Sequence, residues 1–178
     1  MADQNLTILY IFTLTGDGDG VDDIIIPISS FQANQRSGSP SYLAVVIPDI
    51  GYADDIAARL NGDLVINMVK LVDGSEAENE EILRANLESV RLDEGGVNQS
   101  ITLSGHKQKT YTPKTVALED VIYKSVTDDK RRYRCAVPNI NLCPGDTATY
   151  DGDSFTVELI TYTVNDGQHQ IEIAEIDA

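Results

Sequence analysis

The sequence predicts a mainly β protein, an antiparallel β-barrel or sandwich of about ten short strands with one short helix, in a single domain over residues 1–178. Three observations carry this expectation. The last third of the chain joins strand-like runs through Asp151-Gly152 and Asp166-Gly167. Asp-Gly between β-branched and aromatic residues is the strongest short-range hairpin signal, because both central turn positions require positive φ. Short runs rich in Val, Ile, Thr and Tyr recur along the whole chain, separated by Gly, Pro, Asn and Asp. One segment is the best helix candidate, with an apolar stripe and capping residues at both ends.

Taken in order, residues 6–15 form the longest apolar run, and the loop Gly16-Asp17-Gly18-Asp19-Gly20 returns the chain into residues 21–28. That is a first hairpin, with Pro27 pushing its second strand toward an edge or a bulge. Residues 32–41 are polar, contain Ser-Gly-Ser-Pro and are expected as a loop. Residues 42–47 are a strand stopped by Pro48. The helix falls on residues 52–60: Ile56, Ala57 and Leu60 share one face, Asp54 and Asp55 sit near the start, and Asn61-Gly62 supplies a left-handed stop. Residues 63–72 are a strand ending at Asp73-Gly74.

Residues 75–90 fit two periods. Ile82, Leu83, Leu87 and Val90 make a helical stripe, yet Leu83, Ala85 and Leu87 also alternate with polar neighbours. A hairpin through Glu94-Gly95-Gly96 into residues 97–104 decides for strand, because local and pairing signals must agree. Beyond a polar connection at 107–113, strands at 115–127 and 132–137 flank the turn Asp128-Asp129-Lys130. Pro138 and Pro144 then bracket a loop into the closing meander.

The formal net charge is −16 and it is unevenly spread. No Lys or Arg precedes Arg36 or follows Arg134, eight of the 13 basic residues lie between Lys107 and Arg134, and the last 44 residues carry eight acids and no base. Acidic surfaces keep proteins soluble. The segregation also suggests a polar monomer whose basic patch faces an acidic patch on a neighbour, with Lys130, Arg131, Arg132 and Arg134 on one side and Asp151, Asp153 and Asp166 on the other. Direct nucleic-acid recognition does not fit, since it needs a dominant basic surface. The N-terminus lacks the basic stretch of a signal peptide, and no apolar run approaches the ~18 residues of a membrane span. The chain is expected to be soluble and made in a cytoplasm.

Candidate chemistry is sparse. Asp17, Asp19, Asp22 and Asp23 put four carboxylates in a glycine-rich loop, a weak candidate Ca²⁺ site. An oxygen ligand is missing where Val21 stands, and a bidentate acid where Ile28 stands, so turn chemistry is the better reading. Cys135 and Cys143 lack the paired spacing of a zinc site and are read as buried thiols, with a short-loop disulfide as the alternative. No nucleophile motif or phosphate cradle is present. His106 reads as a loop hydrogen-bonder and His169 as solvent-facing. We expect no catalytic residue, cofactor or metal.

Several stretches carry a resemblance. They are Pro27-Ile28-Ser29-Ser30-Phe31-Gln32-Ala33 before Ser41-Tyr42-Leu43-Ala44-Val45-Val46-Ile47-Pro48, Ile56-Ala57-Ala58-Arg59 before Asn61-Gly62-Asp63-Leu64-Val65-Ile66, and Val90-Arg91-Leu92-Asp93-Glu94-Gly95-Gly96 running into Ile101-Thr102-Leu103-Ser104-Gly105-His106. Tyr133-Arg134-Cys135-Ala136-Val137-Pro138, Pro144-Gly145-Asp146 and Tyr150-Asp151-Gly152 complete the set. Together they resemble tail-tip or baseplate structural proteins of tailed bacteriophages, especially small β-barrel domains related to the tail hub. The resemblance implies a non-enzymatic virion part, a minor tail protein assembled in the host cytoplasm. It implies a homo-oligomeric ring around the tail axis, in contact with tube and hub proteins. Some tail-tip proteins hold an iron–sulfur cluster through several cysteines, and the two here do not support that cofactor. A head–tail connector, or a β-sandwich module binding carbohydrate or Ca²⁺, is the alternative.

Overall fold

The structure, a computed structural model, describes residues 5–16, 18, 20–95, 99–108, 112–139, 141–165 and 167–175. It is mainly β, as the sequence predicts. The apolar N-terminal run is β1 (Leu6–Leu14), and the two-residue β2 (Ile24–Ile25) closes the first hairpin on it, with Thr13 opposite Ile25. The remaining strands of the large sheet are β3 (Ser30–Arg36), β4 (Ser41–Ile47), β5 (Asp63–Val72), β6 (Ser75–Asp93), β7 (Ser100–Lys107), β9 (Val121–Thr127), β10 (Lys130–Cys135), β13 (Leu159–Asn165) and β14 (Gln168–Ala174). β8 (Thr115–Ala117), β11 (Thr147–Tyr150) and β12 (Asp153–Thr156) make a separate small sheet in the order β12-β11-β8.

The large sheet runs β2-β1-β5-β6-β7-β4-β3-β13-β14-β10-β9 and is antiparallel throughout. Its end strands do not pair with each other, so it is an open sheet and not a closed barrel. It is nevertheless strongly curled. Tyr10 of β1 meets the edges of Phe31 on β3 at 5.1 Å and of His169 on β14 at 5.8 Å, although several strands separate them in the sheet order. Inward residues such as Phe12, Leu14, Leu43, Val45, Ile47, Leu64, Ile66, Leu103 and Ile173 are almost fully buried in one cluster. Along β3, β4 and β7 the burial alternates with the period of two that a half-buried sheet imposes, whereas β5 buries Val65 and Val69 on its other face as well.

Strand β6 organises this sheet. Its first half pairs with β5, from Ser75 opposite Val72 to Asn86 opposite Asp63. Its second half pairs with β7, from Asn86 opposite His106 to Asp93 opposite Ser100. Asn86 is the changeover, and register shifts lie on either side of it, at Ile66/Asn67 on β5 and at Leu87/Ser89 on β6. Gly105 makes the changeover possible: a Cβ there would lie 1.6 Å from the Asn86 carbonyl oxygen. The Leu87 amide meanwhile donates to the Gly62 carbonyl at 3.0 Å, stitching the corner to the turn that leads into β5.

Four local expectations are corrected. Residues 32–41 are not all loop, because β3 occupies the first part. Its polar sequence hides an alternation in which Phe31, Ala33 and Gln35 are buried while Gln32 and Arg36 face out, and the ladders to β4 and β13 hold it extended. Residues 115–127 are two strands in different sheets, broken at Asp120, which adopts φ 52, a left-handed conformation that Asp tolerates. The closing meander is likewise divided, β11 and β12 lying in the small sheet and β13 and β14 in the large one. The helix is α1 (Ala53–Ala57), preceded by a 3-10 turn over Ile50–Tyr52 that Asp49 caps through the Gly51 amide at 2.8 Å. Because α1 stops at Ala57, Leu60 leaves the stripe and is 53% exposed, whereas Ile56 is buried.

Replacing Gly105 by Ala should cost about 3 kcal/mol or more, at the upper end of what overpacking costs, because the clash is with backbone. Urea denaturation measures this. An unchanged midpoint would show that β6 and β7 do not approach as closely as described.

Candidate interaction surface

The basic segment singled out in the sequence forms the hairpin β9–β10, whose turn Asp128-Asp129 has φ of 52 and 61. Its cations are answered inside the chain. Arg131 donates to Glu175 at 2.9 Å and Arg132 to Glu172 at 3.1 Å, while Arg134 lies 3.8 Å from Glu172 with its guanidinium 5.5 Å over the Tyr123 ring. The cause is strand order: β10 pairs with β14, placing Arg134 directly opposite Glu172. Lys130 opens β10 opposite Thr127. Lys124 pairs with Asp153 on β12, whose carboxylate also accepts from Tyr133 Oη at 3.4 Å. Hydrogen bonding from Lys124 holds the Asp153 carboxyl below its ordinary range. The sequence-distant basic and acidic segments thus meet within one molecule.

The other acids singled out in the sequence behave as turn residues. Asp151 has φ 50 and, with Gly152, turns β11 into β12. Asp166 lies outside the described residues, as do Asp17 and Asp19. Asp23 accepts from the Gly16 amide at 2.9 Å, and the Asp22 carbonyl accepts from Arg59 at 2.9 Å, so both brace the loop between β1 and β2. Among the described residues no group of three or more His, Cys, Asp or Glu side chains is placed to hold a metal ion. Cys135 is buried and Cys143 half-buried, both free, and burial pushes the Cys135 thiol up to about 11.

Several structural roles were not legible. Asp146 is fully buried, its two carboxylate oxygens accepting from the Lys114 and Cys143 amides at 2.9 and 2.8 Å. The Pro-Gly-Asp turn is therefore an anchor for the approach to β8. His169 is half-buried and not solvent-facing: its Nε2–H donates to the Ala136 carbonyl at 2.6 Å. His106 lies on β7, not in a loop, and pairs with Glu88 at 2.7 Å. At the β6 corner Asp63 receives Arg84 at 3.0 Å and Lys107 at 2.9 Å, so a single carboxylate on β5 clasps β6 and β7. Burial pushes the Asp63 carboxyl up, but the hydrogen bonds and charges of Lys107 and Arg84 outweigh it and leave it below its ordinary value.

Two features remain open to partners. Among the described residues strand β9 ends the sheet, pairs on one side only, and exposes Ile122 (68%), Tyr123 (53%) and Val126 (56%). An exposed apolar edge strand is a template for pairing with another chain unless charge or proline blocks it. Its one charge, Lys124, is drawn into the pair with Asp153. The second feature is a groove of about 400 Å³ between the β5–β6 hairpin and the small sheet.

No family model and no curated protein matches the chain. Solved structures do. The tail protein from Neisseria meningitidis MC58 superposes with a TM-score of 0.54 at 7% identity, over 94% of this chain and 96% of that one. The 43 kDa tail protein of prophage MuSo2 from Shewanella oneidensis gives 0.53 at 6% identity, over 94% and 96%. The E. coli c3393 protein, a component of the type VI secretion system that exhibits structural similarity to the T4 bacteriophage tail proteins gp27 and gp5, gives 0.54 at 7%, over 98% and 77%. The chain has a fold found in phage tail proteins.

The Asp63 clasp sets a pH dependence. A carboxyl with a lowered folded pKa contributes stability above its unfolded value of ~3.9, and that contribution is lost as pH falls through the folded value. Asp63→Asn should therefore lower stability by about 1–2 kcal/mol at pH 7 and close the gap to wild type at acid pH, once the pH has fallen through the folded value of that carboxyl. Denaturant melts at both pH values check this, and equal stabilities at pH 7 would contradict it.

Proposed function

We propose that this chain is a non-enzymatic structural component of a tailed-phage virion, a minor tail or tail-tip (baseplate) protein that forms part of a ring around the tail axis. One observation carries the reading: the fold is shared over nearly the whole chain with a tail protein from Neisseria meningitidis, a prophage tail protein and a type VI secretion component. Its contacts are copies of itself and the tube and hub proteins, and it is assembled in the host cytoplasm.

The open sheet supports this role. A cyclic ring uses heterologous contacts, one patch meeting a different patch on the next copy, and among the described residues β2 and β9 are different ends of one sheet, each paired on one side only. The β9–β10 hairpin is the face we assign to neighbours, with Ile122 and Val126 as its apolar strip and Arg132 and Arg134 as its rim. Lys130 and Arg131, and Asp151 and Asp153 at the adjoining turn, frame it.

Antibody to this chain should label the tail of particles from a lysate of the encoding phage, and a null allele should leave filled heads without complete tails. Absence of the chain from purified particles would overturn the reading. A charge swap separates folding from assembly. Arg132→Glu should destabilise by up to about 1 kcal/mol, as expected of an exposed pair, and inverting the whole trio in R132E/R134E/E172R, which keeps Arg134 from facing a second arginine, should restore stability. If the swapped protein also enters particles at the wild-type level, Arg132 serves only the intrachain pair.

A further inference from the structure

We propose that the groove between the β5–β6 hairpin and the small sheet takes up an extended, basic segment of a different protein, in which cationic side chains alternate with apolar ones. One wall is the far end of the face that packs the core. Buried Met68 opposes Glu80 in register, and the next pair on that face is Lys70 with Glu78. The sheet face continues past the core, and there its side chains turn from apolar to charged, with Glu78 and Glu80 exposed.

The opposite wall comes from β8 and the connection to β9. Val116 and buried Val137 give the groove an apolar base. Glu119 and Asp120 stand above it. Asn139 fixes this wall, accepting from the Glu119 amide at 2.9 Å and donating to the Glu119 carbonyl at 3.4 Å. Among the described residues, the strands that border the groove keep unpaired edges: β8 ends the small sheet, and over residues 75–84 β6 pairs with β5 alone. Free edges beside an apolar base are what an added strand uses, with main-chain bonds giving affinity and alternate side chains giving specificity.

Charge names the occupant. Among the described residues the groove holds four carboxylates, and its one ammonium, Lys70, is taken by Glu78 at 3.4 Å. A point cation does not fit, because the carboxylates stand apart on two walls and form no metal-holding group. A second copy does not offer such a strand through its basic hairpin: Arg132 and Arg134 on β10 are in intrachain ion pairs, and Tyr133 and Cys135, which alternate with them, are buried in the core. A foreign strand bearing Lys or Arg at alternate positions meets both walls while its other face lies on Val116 and Val137. The inference rests on the proposed tail role only in taking that strand from another tail protein.

The test uses the purified full chain and a fluorescently labelled decapeptide of alternating lysine and valine, followed by anisotropy. We expect saturable one-to-one binding, with a lysine–serine peptide of equal charge about tenfold weaker and a glutamate–valine peptide inert. E80K/E119K should weaken the lysine–valine peptide about tenfold or more, while D54K/E94K, the same charge change elsewhere, stays within about twofold. Circular dichroism confirms that both variants fold. Equal loss in D54K/E94K, or equal binding of the lysine–serine peptide, would mean a diffuse acidic field and no groove. Displacement of the peptide by millimolar Ca²⁺ would make it a cation site, and self-association abolished by E80K/E119K would make the occupant a second copy. Either result overturns the proposal. Tail labelling with no peptide binding sinks the groove alone, and peptide binding with no chain in particles sinks the tail role alone.

Discussion

Everything in this architecture depends on one close backbone approach, Gly105 of β7 against the Asn86 carbonyl of β6. It allows a 19-residue strand to belong to two partners in succession. Without it β5 and β7 could not share β6, and the sheet would separate into a group around β1 and β5 and a group around β7, β4 and β3. Side chains reinforce the corner. Asp63, Arg84 and Lys107 come one from each strand and close over the same point. The ion pairs are partly exposed and contribute modestly, so backbone fit dominates and charge trims it.

Legibility in the sequence tracks the range of the interaction. Two-residue turns were legible because positive φ is a local demand, and Asp73-Gly74, Asp128-Asp129 and Asp151-Gly152 all meet it. The long strand β6 was legible only by pairing logic, since Ile82, Leu83 and Leu87 satisfy two periods. Strand β3 was hidden because Gln32, Asn34 and Gln35 read as loop, and only the ladders from β4 and β13, distant in sequence, hold it extended. The division of the C-terminal hairpins between two sheets was invisible for the same reason. Nothing in β11 and β12 distinguishes them from β13 and β14 until Asp146 is seen anchoring the chain to Lys114 and Cys143.

Charge shows the same limit. Bases crowd residues 107–134 and acids dominate residues 135–178, a pattern that suggests unlike patches on neighbouring molecules. Pairing β10 with β14 brings those segments together and uses up much of the contrast within one chain. The surface left for partners is different in kind: an apolar edge on β9 and an acidic, apolar-based groove beside β8. The candidate surface was therefore half legible, since its hairpin was found by composition while the groove needed two sheets to exist.

Native-state amide hydrogen exchange, residue by residue, tests most directly whether β6 joins the two groups of strands into one cooperative unit. The account predicts that buried positions on β5 (Leu64, Ile66), β6 (Leu83, Ala85) and β7 (Ile101, Leu103) exchange through a common opening whose free energy equals that of global unfolding. Exchange of β1 and β5 through a distinctly cheaper opening than that of β4 and β7 would contradict it.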